Sequence, residues 1–318
     1  MAIPGLLIDQ DVADETRRGN GLLAEALAAA PLPHEADDAP AIRAARENGE
    51  SVFPAPVRLP EAVDRAVPGR DGDVRVRVLP PYGAARGVLL HLHGGGWTLG
   101  TADSQDPDLV NLARAAAVAV VSVDYRLAPE HPHPAGPDDC EDAARWLVEN
   151  AAAEFGTDRL AIAGESAGAH LAALTLLRLG ERARAFRAAQ FTYGVFDLSM
   201  TPSQRAGVDK LVIPTATMRW FYEQFLPGTG LEERRDPAIS PLYADLRGLP
   251  PARFVVGTED PLLDDSLFMA ARWRAAGNAA ELDIVAEGAH GFASFPFVAG
   301  RRERERQAAF IGKAVTSC

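Results

Sequence analysis

The chain has 318 residues, 47% of them hydrophobic and 24% charged, which is typical of a globular protein with a large buried core. Its formal net charge of -12 at pH 7 argues against nucleic acid and anionic membrane surfaces as partners, because an acidic protein repels phosphate groups. No apolar run is long enough to cross a bilayer, so we expect no membrane-spanning segment.

The cysteines and the first residues bear on the cellular compartment. Cys140 and Cys318 are too few for a disulfide framework, and they predict free thiols in a reducing environment. The segment from Met1 to Gln10 has no basic stretch of the kind that opens a signal peptide. We therefore expect a cytoplasmic protein.

Residues 1–50 are helical in pattern. Apolar side chains recur at helical spacing from Leu22 to Leu27, a Pro/Asp break follows between Pro31 and Pro40, and a charged helix comes next. The segment carries no strand signal. We interpret it as the N-terminal part of a helical cap.

Strands and helices alternate after residue 51. Val74 to Leu79 alternates as a half-buried strand, whereas Ala117 to Val123 is continuously apolar, as expected of a parallel strand covered on both faces. Further strands are predicted at 62–67, 87–93, 160–163, 188–193, 253–257 and 281–285, and helices at 104–116, 138–155, 167–179 and 262–276. The alternation predicts an α/β fold with a mostly parallel sheet and helices on both faces.

The alternation is interrupted at residues 198–235, which contain the amphipathic aromatic stretch Met218 to Leu226. We interpret this segment as a second part of the cap. The expected organisation is therefore a cap segment at 1–50, a first core segment at 51–197, a second cap segment at 198–235 and a second core segment at 236–318.

The pentapeptide from Gly164 to Gly168, with Ser166 at its centre, lies between a predicted strand and a predicted helix. The pattern G-x-S-x-G in that context is typical of the nucleophile elbow of α/β-hydrolases. The two glycines are required because a Cβ two residues to either side of the serine would collide with neighbouring backbone. The serine itself is expected to be strained.

A serine nucleophile needs a base and an orienting carboxylate, which follow it in the order acid, then histidine, in this fold. Asp260 follows the strand that ends at Gly257, and His290 follows the strand that ends at Val285. Both therefore belong to loops at the same sheet edge as Ser166. We predict that Ser166, Asp260 and His290 form a catalytic triad.

Other residues compete for two of these roles. His170 lies one helical turn beyond Ser166 on the helix that leaves the elbow, so we expect a core histidine there and not the base. Glu259, Asp264 and Asp265 lie close to Asp260 in the sequence. Asp260 is preferred because Pro261 favours a helix start directly after it.

The run from His93 to Trp97 follows a predicted strand, and its three glycines leave backbone N–H groups free to face an oxyanion. Together with the elbow, the run from Asp124 to Pro134, Asp260-Pro261-Leu262 and His290-Gly291-Phe292, it resembles the hormone-sensitive-lipase-like bacterial carboxylesterases of family IV. The resemblance extends from about residue 57 to residue 317. The family's elbow more often has aspartate and a following glycine where Glu165 and Ala169 stand here.

The resemblance implies an α/β-hydrolase fold with an eight-stranded sheet, an oxyanion hole of the N–H groups of Gly95, Gly96 and Ala167, and no cofactor. It also implies hydrolysis of short- to medium-chain carboxylic esters through an acyl-enzyme. Relatives often dimerise through the edge of the last strand, near residues 281–285 here, so a homodimer is expected.

Five aromatic residues either line an acyl pocket or pack within the lid and core: Trp97, Trp220, Phe221, Phe225 and Phe292. Four histidines form two His-x-His pairs, at residues 91 and 93 and at residues 131 and 133. No cysteine or carboxylate pattern accompanies them, so we predict no metal site.

Two other functions stay open at this stage. An amidase or deacetylase would use the same triad on an N-acyl or O-acetyl group, and nothing in the sequence separates esters from amides. A non-catalytic small-molecule receptor on the same fold is disfavoured, because such receptors lose the triad histidine and His290 is present.

Overall fold

The computed structural model describes residues 5–7 and 9–316, so Cys318 and residues 1–4 and 8 of the N-terminal segment lie outside the described residues. Within these residues one nine-stranded sheet forms the centre of the molecule. Its strands are β1 (Leu6–Leu7), β2 (Val63–Val67), β3 (Val74–Leu79), β4 (Gly87–Leu92), β5 (Val118–Asp124), β6 (Leu160–Glu165), β7 (Phe186–Thr192), β8 (Ala252–Gly257) and β9 (Ala280–Val285).

The strands lie in the spatial order β1-β9-β8-β7-β6-β4-β5-β3-β2. β2 pairs with β3 and β3 with β5 in antiparallel register, and all other neighbours are parallel. The prediction of an α/β fold with a mostly parallel sheet is therefore confirmed. Reversal of the strand order around β4 brings the ends of β4 and β6 side by side, where ligands bind in open α/β sheets.

The helices are α1 (Gln10–Leu27), α2 (Pro33–Ala36), α3 (Ala39–Glu47), α4 (Asp106–Ala116), α5 (Ala135–Phe155), α6 (Ala167–Leu179), α7 (Pro202–Ala206), α8 (Thr215–Phe225), α9 (Leu263–Ala275) and α10 (Val298–Thr316). Hydrophobic cores cover both faces of the sheet. On β4, Leu90 belongs to the core shared with α5, α6 and α9, whereas its neighbour Leu89 belongs to the core shared with α4 and α10. Successive side chains of a strand point to opposite faces, so a continuously apolar strand serves both cores.

The predicted count of eight strands is wrong by one. The additional strand is β1, in the segment where the sequence carries no strand signal. Leu6 and Leu7 pair in parallel register with Ile284 and Val285 of β9. Two residues are too short to show an alternating pattern, and this pairing depends on a sheet edge nearly 280 positions away in sequence.

The two segments predicted to form a cap contact each other. His34 Nδ1 lies 2.9 Å from Thr217 Oγ1, and the indole N–H of Trp220 donates to Asp37 Oδ1 over 2.7 Å. Arg43 of α3 donates to the carbonyl of Thr98 over 2.9 Å. The first segment therefore touches both the second one and the loop after β4. In the described part of the chain, no helix has the length and apolar character needed to cross a membrane.

Candidate active site

Ser166 follows the last residue of β6 and directly precedes α6. Its backbone has φ 55° and ψ -120°, a strained conformation for a residue with a side chain. A Cβ on Gly164 would lie 2.3 Å from backbone atoms of Gly168, and a Cβ on Gly168 would lie 1.9 Å from the Leu92 carbonyl oxygen. The predicted steric need for both glycines and the predicted strain of the serine are confirmed.

Ser166, His290 and Asp260 lie together at the carboxyl ends of the parallel strands. His290 Nε2 is 2.9 Å from Ser166 Oγ, and His290 Nδ1 is 2.9 Å from Asp260 Oδ2. Asp260 and His290 are 2% and 5% exposed, so water competes little for the bond between them. Asp260 Oδ1 also accepts the backbone N–H of Leu262 over 2.8 Å, which fixes the carboxylate plane.

The other three carboxylates near Asp260 each have a different partner. Glu259 forms an ion pair of 2.6 Å with Lys210. Asp264 accepts the backbone N–H of Ser203 over 2.8 Å. The fully buried Asp265 accepts four hydrogen bonds from the segment 196–204. Of the four candidates, Asp260 is the one that contacts His290.

His170 is held away from the serine hydroxyl. Its Nδ1 accepts the indole N–H of Trp97 over 3.0 Å, and its Nε2 donates to the Ile239 carbonyl over 2.7 Å. The side chain is fully buried, and burial lowers its pKa to about 3. The prediction of a core histidine with both ring nitrogens paired is confirmed.

The loop after β4 adopts positive φ angles at Gly95 (117°) and Gly96 (60°). A Cβ at Gly95 would lie 2.1 Å from the Leu99 carbonyl oxygen, so this turn requires glycine. Across the described residues, the N–H groups of Gly95, Gly96 and Ala167 have no acceptor. Three free donors thus occur in the loop and at the start of α6, and such groups can bind a developing oxyanion.

Comparison with known proteins identifies the family. The chain matches the family model described as alpha/beta hydrolase fold over residues 89–294. The chain belongs to this family. The match covers most of β4, the strands β5 to β9, the elbow and the segments that carry Asp260 and His290.

Several relatives of this α/β hydrolase are ester hydrolases. It is 37% identical over 269 residues to carboxylesterase NlhH of Mycobacterium tuberculosis, covering 81% of this chain and 84% of the relative. It is 35% identical over 274 residues to ethyl acetate hydrolase of Pseudomonas putida, covering 82% and 85%. The solved structure of the carboxylesterase EstE1 from a metagenomic library matches with a TM-score of 0.75 and 32% identity, covering 98% of this chain and 99% of that chain.

These matches confirm the resemblance to the hormone-sensitive-lipase-like carboxylesterases. The α/β hydrolase is therefore a carboxylic ester hydrolase by family. The predicted fold class is confirmed as well, apart from the additional strand.

The five aromatic residues predicted for an acyl pocket occupy different environments in this hydrolase. Trp97 and Phe225 stack on each other with ring centroids 4.6 Å apart, and Phe292 packs against Tyr193; all three are at most 3% exposed. They offer little surface to a substrate. Phe221 is 7% exposed and lies over Gly96, where a Cβ would come within 2.3 Å of its ring. The neighbouring Trp220 donates a hydrogen bond to Asp37.

Sequence reasoning missed two contacts of the site. The Tyr193 ring packs edge-on against His290, with centroids 4.9 Å apart, and burial raises the pKa of the Tyr193 hydroxyl. His91 Nε2 lies 3.0 Å from Glu165 Oε2, beside the nucleophile. Tyr193 directly follows β7, and residues after the parallel strands lie at the edge of the sheet that carries Ser166, so its position could have indicated a place in the site. The contact of His91 with Glu165 depends on strand register, which the sequence does not show.

A metal centre has no support within residues 5–7 and 9–316, because no group of three or more metal-ligating side chains converges there. His91 and His93 are each engaged in hydrogen bonds within the sheet and the loop that follows it.

Proposed function

We propose that this carboxylesterase hydrolyses short- to medium-chain carboxylic esters by a Ser166–His290–Asp260 triad through an acyl-enzyme. The observation that carries the proposal is the pair of 2.9 Å contacts that join Ser166 Oγ to His290 Nε2 and His290 Nδ1 to Asp260 Oδ2. The Pseudomonas putida relative is an ethyl acetate hydrolase, which supports a small ester as substrate.

In the proposed first half-reaction, Ser166 Oγ attacks the ester carbonyl carbon while its proton moves to His290 Nε2. Asp260 accepts the Nδ1–H and stabilises the imidazolium that forms. The tetrahedral intermediate collapses as His290 returns the proton to the leaving alcohol oxygen, which leaves an acyl group on Ser166. Water then attacks the acyl carbon by the same route, and the carboxylic acid departs.

The N–H groups of Gly95, Gly96 and Ala167 are proposed to bind the oxyanion of both tetrahedral intermediates. Their lack of acceptors among the described residues supports this role. The first two are backbone donors on a loop with two positive φ angles and the third is a backbone donor at the start of α6, so all three are pre-organised.

The two cap segments, 1–50 and 198–235, are proposed to limit the acyl chain and exclude water. The position of Phe221 over Gly96 supports an apolar wall close to the carbonyl carbon. Trp220 is proposed to hold this wall through its bond to Asp37. Trp97 and Phe225, which belong to the same core cluster as Phe221, are proposed to support the wall from behind, whereas Phe292 packs against Tyr193 in a separate cluster.

A cytoplasmic location and a homodimer belong to the same proposal. Cys140 is a buried free thiol, which suits a reducing compartment. Because β1 already pairs with residues 284–285, a dimer through this edge would use the remaining part of β9.

The test is steady-state hydrolysis of p-nitrophenyl esters from acetate to dodecanoate by the wild type and by Ser166→Ala. We expect cleavage of the short esters and a fall in kcat of at least about 10⁴-fold in the variant. Ser51→Ala is a matched control, because Ser51 bonds only within its own loop. Equal activity of wild type and Ser166→Ala would overturn the triad, and preferred cleavage of p-nitroanilides over esters would point to an amidase.

A further inference from the structure

A buried hydrogen-bonded chain crosses the sheet behind the nucleophile. Ser122 Oγ lies 3.0 Å from His91 Nδ1, and His91 Nε2 lies 3.0 Å from Glu165 Oε2. Ser122 and His91 are fully buried, and the Glu165 side chain is 13% exposed. With a neutral imidazole, the Ser122 hydroxyl donates to Nδ1 and the Nε2–H donates to the carboxylate, so each group is paired.

Strand register brings these three side chains together. His91 of β4 is aligned with Ser122 of β5 on one side and with Ala163 of β6 on the other. Aligned residues of parallel strands share a face, and Glu165, two positions beyond Ala163, shares it too. The small methyl group of Ala163 leaves the imidazole room to reach Glu165.

The hydrogen-bonded series of Ser122, His91 and Glu165 connects the ends of β4 and β6, which lead to the proposed oxyanion loop and the proposed nucleophile. Glu165 directly precedes Ser166 in β6. His91 lies two residues before His93, where the oxyanion loop begins after β4. The contact between His91 and Glu165 therefore links the strand that leads to the loop of Gly95 and Gly96 with the strand that leads to the nucleophile. Displacement of reacting groups by about 1 Å is enough to lower a rate about 10²-fold.

The other side of Glu165 borders a cavity of about 240 Å³ between α4 and α10. In the described part of the chain, Ser166, His290 and the oxyanion loop are not among its lining residues. Asp108 lines the same cavity and lies 3.4 Å from Arg304. Neutralising Asp108 thus removes a carboxylate that repels Glu165 across the cavity, while it leaves the hydrogen bonds that join Ser122, His91 and Glu165 in place.

We propose that His91, acting through Glu165, is a positioning residue that holds the nucleophile elbow in register with the oxyanion loop. This inference rests on the proposed serine esterase function. It assigns Glu165, the glutamate of the elbow, a partner on the neighbouring strand β4, namely His91.

The test compares His91→Phe, Glu165→Ala, Glu165→Gln and the double variant His91→Phe/Glu165→Ala, with Asp108→Asn as control. Each protein is titrated with a p-nitrophenyl alkylphosphonate, and kcat and KM for p-nitrophenyl butyrate are expressed per phosphonylated serine. We expect His91→Phe and Glu165→Ala each to lower kcat by about 10- to 100-fold with KM within about 3-fold, as for displaced reacting groups. The double variant is expected to fall no further than either single one, since both break one contact.

Glu165→Gln retains an acceptor for the His91 Nε2–H, so it should recover about 10-fold or more of the kcat that Glu165→Ala loses. Ser122→Ala, the smallest change, provides a folded variant if His91→Phe does not accumulate, and we expect a fall of about 3-fold or more. The inference would be overturned if His91→Phe kept a kcat per labelled serine within about 2-fold of wild type. It would also be overturned if Ser122→Ala and Glu165→Ala, measured as two single variants, both did so. An equal loss in Asp108→Asn would overturn it as well.

Failure of the proposed function has a different signature in this experiment. If the wild type is neither phosphonylated nor active on the ester, the triad assignment fails and the positioning role fails with it. If the wild type is labelled and active while all variants match it, only the positioning role is lost.

Discussion

Asp260 illustrates how single residues acquire roles that composition cannot assign. Four carboxylates lie between residues 259 and 265, and each is engaged by a different group. What distinguishes Asp260 is its position on the loop after β8, where its carboxylate reaches His290 while it also accepts the N–H of Leu262. A carboxylate fixed at both oxygens can hold an imidazole in one tautomer.

We therefore expect Asp260→Asn to lower kcat by about 10³- to 10⁴-fold while KM changes little, because the asparagine amide favours the wrong tautomer of His290. The matched control is Glu259→Gln, which removes the adjacent carboxylate and its ion pair with Lys210. Steady-state kinetics on p-nitrophenyl butyrate measures both. Comparable losses in the two variants would contradict the assignment of the acid.

At the scale of elements, the strand–elbow–helix unit is the part of the chain with the least steric freedom. β6 and α6 are joined by one residue, Ser166, and α6 begins so close to β4 that a Cβ on Gly168 would lie 1.9 Å from the Leu92 carbonyl oxygen. The helix can start at this place only if no Cβ stands between it and the neighbouring strand. The turn and the helix packing therefore depend on the same glycine.

Gly168→Ala is expected to lower the free energy of unfolding by more than about 2 kcal/mol. Its new Cβ would lie 1.9 Å from the buried Leu92 carbonyl oxygen, so the backbone must shift. Gly21→Ala in α1 is the matched control, since no atom lies within 4 Å of its new Cβ. Alanine there should raise stability by up to about 1 kcal/mol through helix propensity. Urea denaturation followed by tryptophan fluorescence measures both, and equal effects would contradict this account of the elbow.

At the scale of the whole molecule, burial of neutral histidines couples folding to pH. Burial lowers the pKa of His170 to about 3 and that of His93 to about 4, because the charged imidazolium is poorly solvated in the core. The unfolded chain takes up these protons near pH 6.5, whereas the folded chain does not. Their contribution to stability is therefore complete above pH 6.5 and is lost as the pH falls from 6.5 toward these lower values.

The difference in the free energy of unfolding between wild type and His170→Leu, called the stability gap below, isolates the titration of His170. The other titrating residues are common to both proteins. At pH 8 the variant should be less stable, since the Trp97 indole N–H and the Ile239 carbonyl lose their partner. Below pH 6.5 the stability gap should narrow by on the order of 1 kcal/mol per pH unit, because only the wild type is destabilised by uptake of a proton at residue 170 on unfolding. Denaturation curves between pH 8 and pH 5 measure the gap, and a constant gap would contradict the buried neutral state.

Much of this molecule is determined locally in the sequence. The apolar runs and their helical or alternating spacing determined eight strands and most helices, because burial on one or both faces dictates the period of apolar residues. The glycines around Ser166 determined the elbow, because steric exclusion there acts within five residues. The order of serine, acid and histidine along the chain, together with the helix start that Pro261 favours after Asp260, predicted which three side chains lie together.

The tertiary structure alone decided the features that depend on register between distant strands. β1 pairs with β9 across nearly the whole chain, and two leucines carry no periodic signal. The partner of Glu165 is set by the alignment of His91 with Ala163. Phe221 lies over Gly96 because of how α8 packs on the oxyanion loop. Side-chain contacts of this kind follow from three-dimensional packing, where residues far apart in sequence meet at distances of a few ångströms, and no local pattern encodes them.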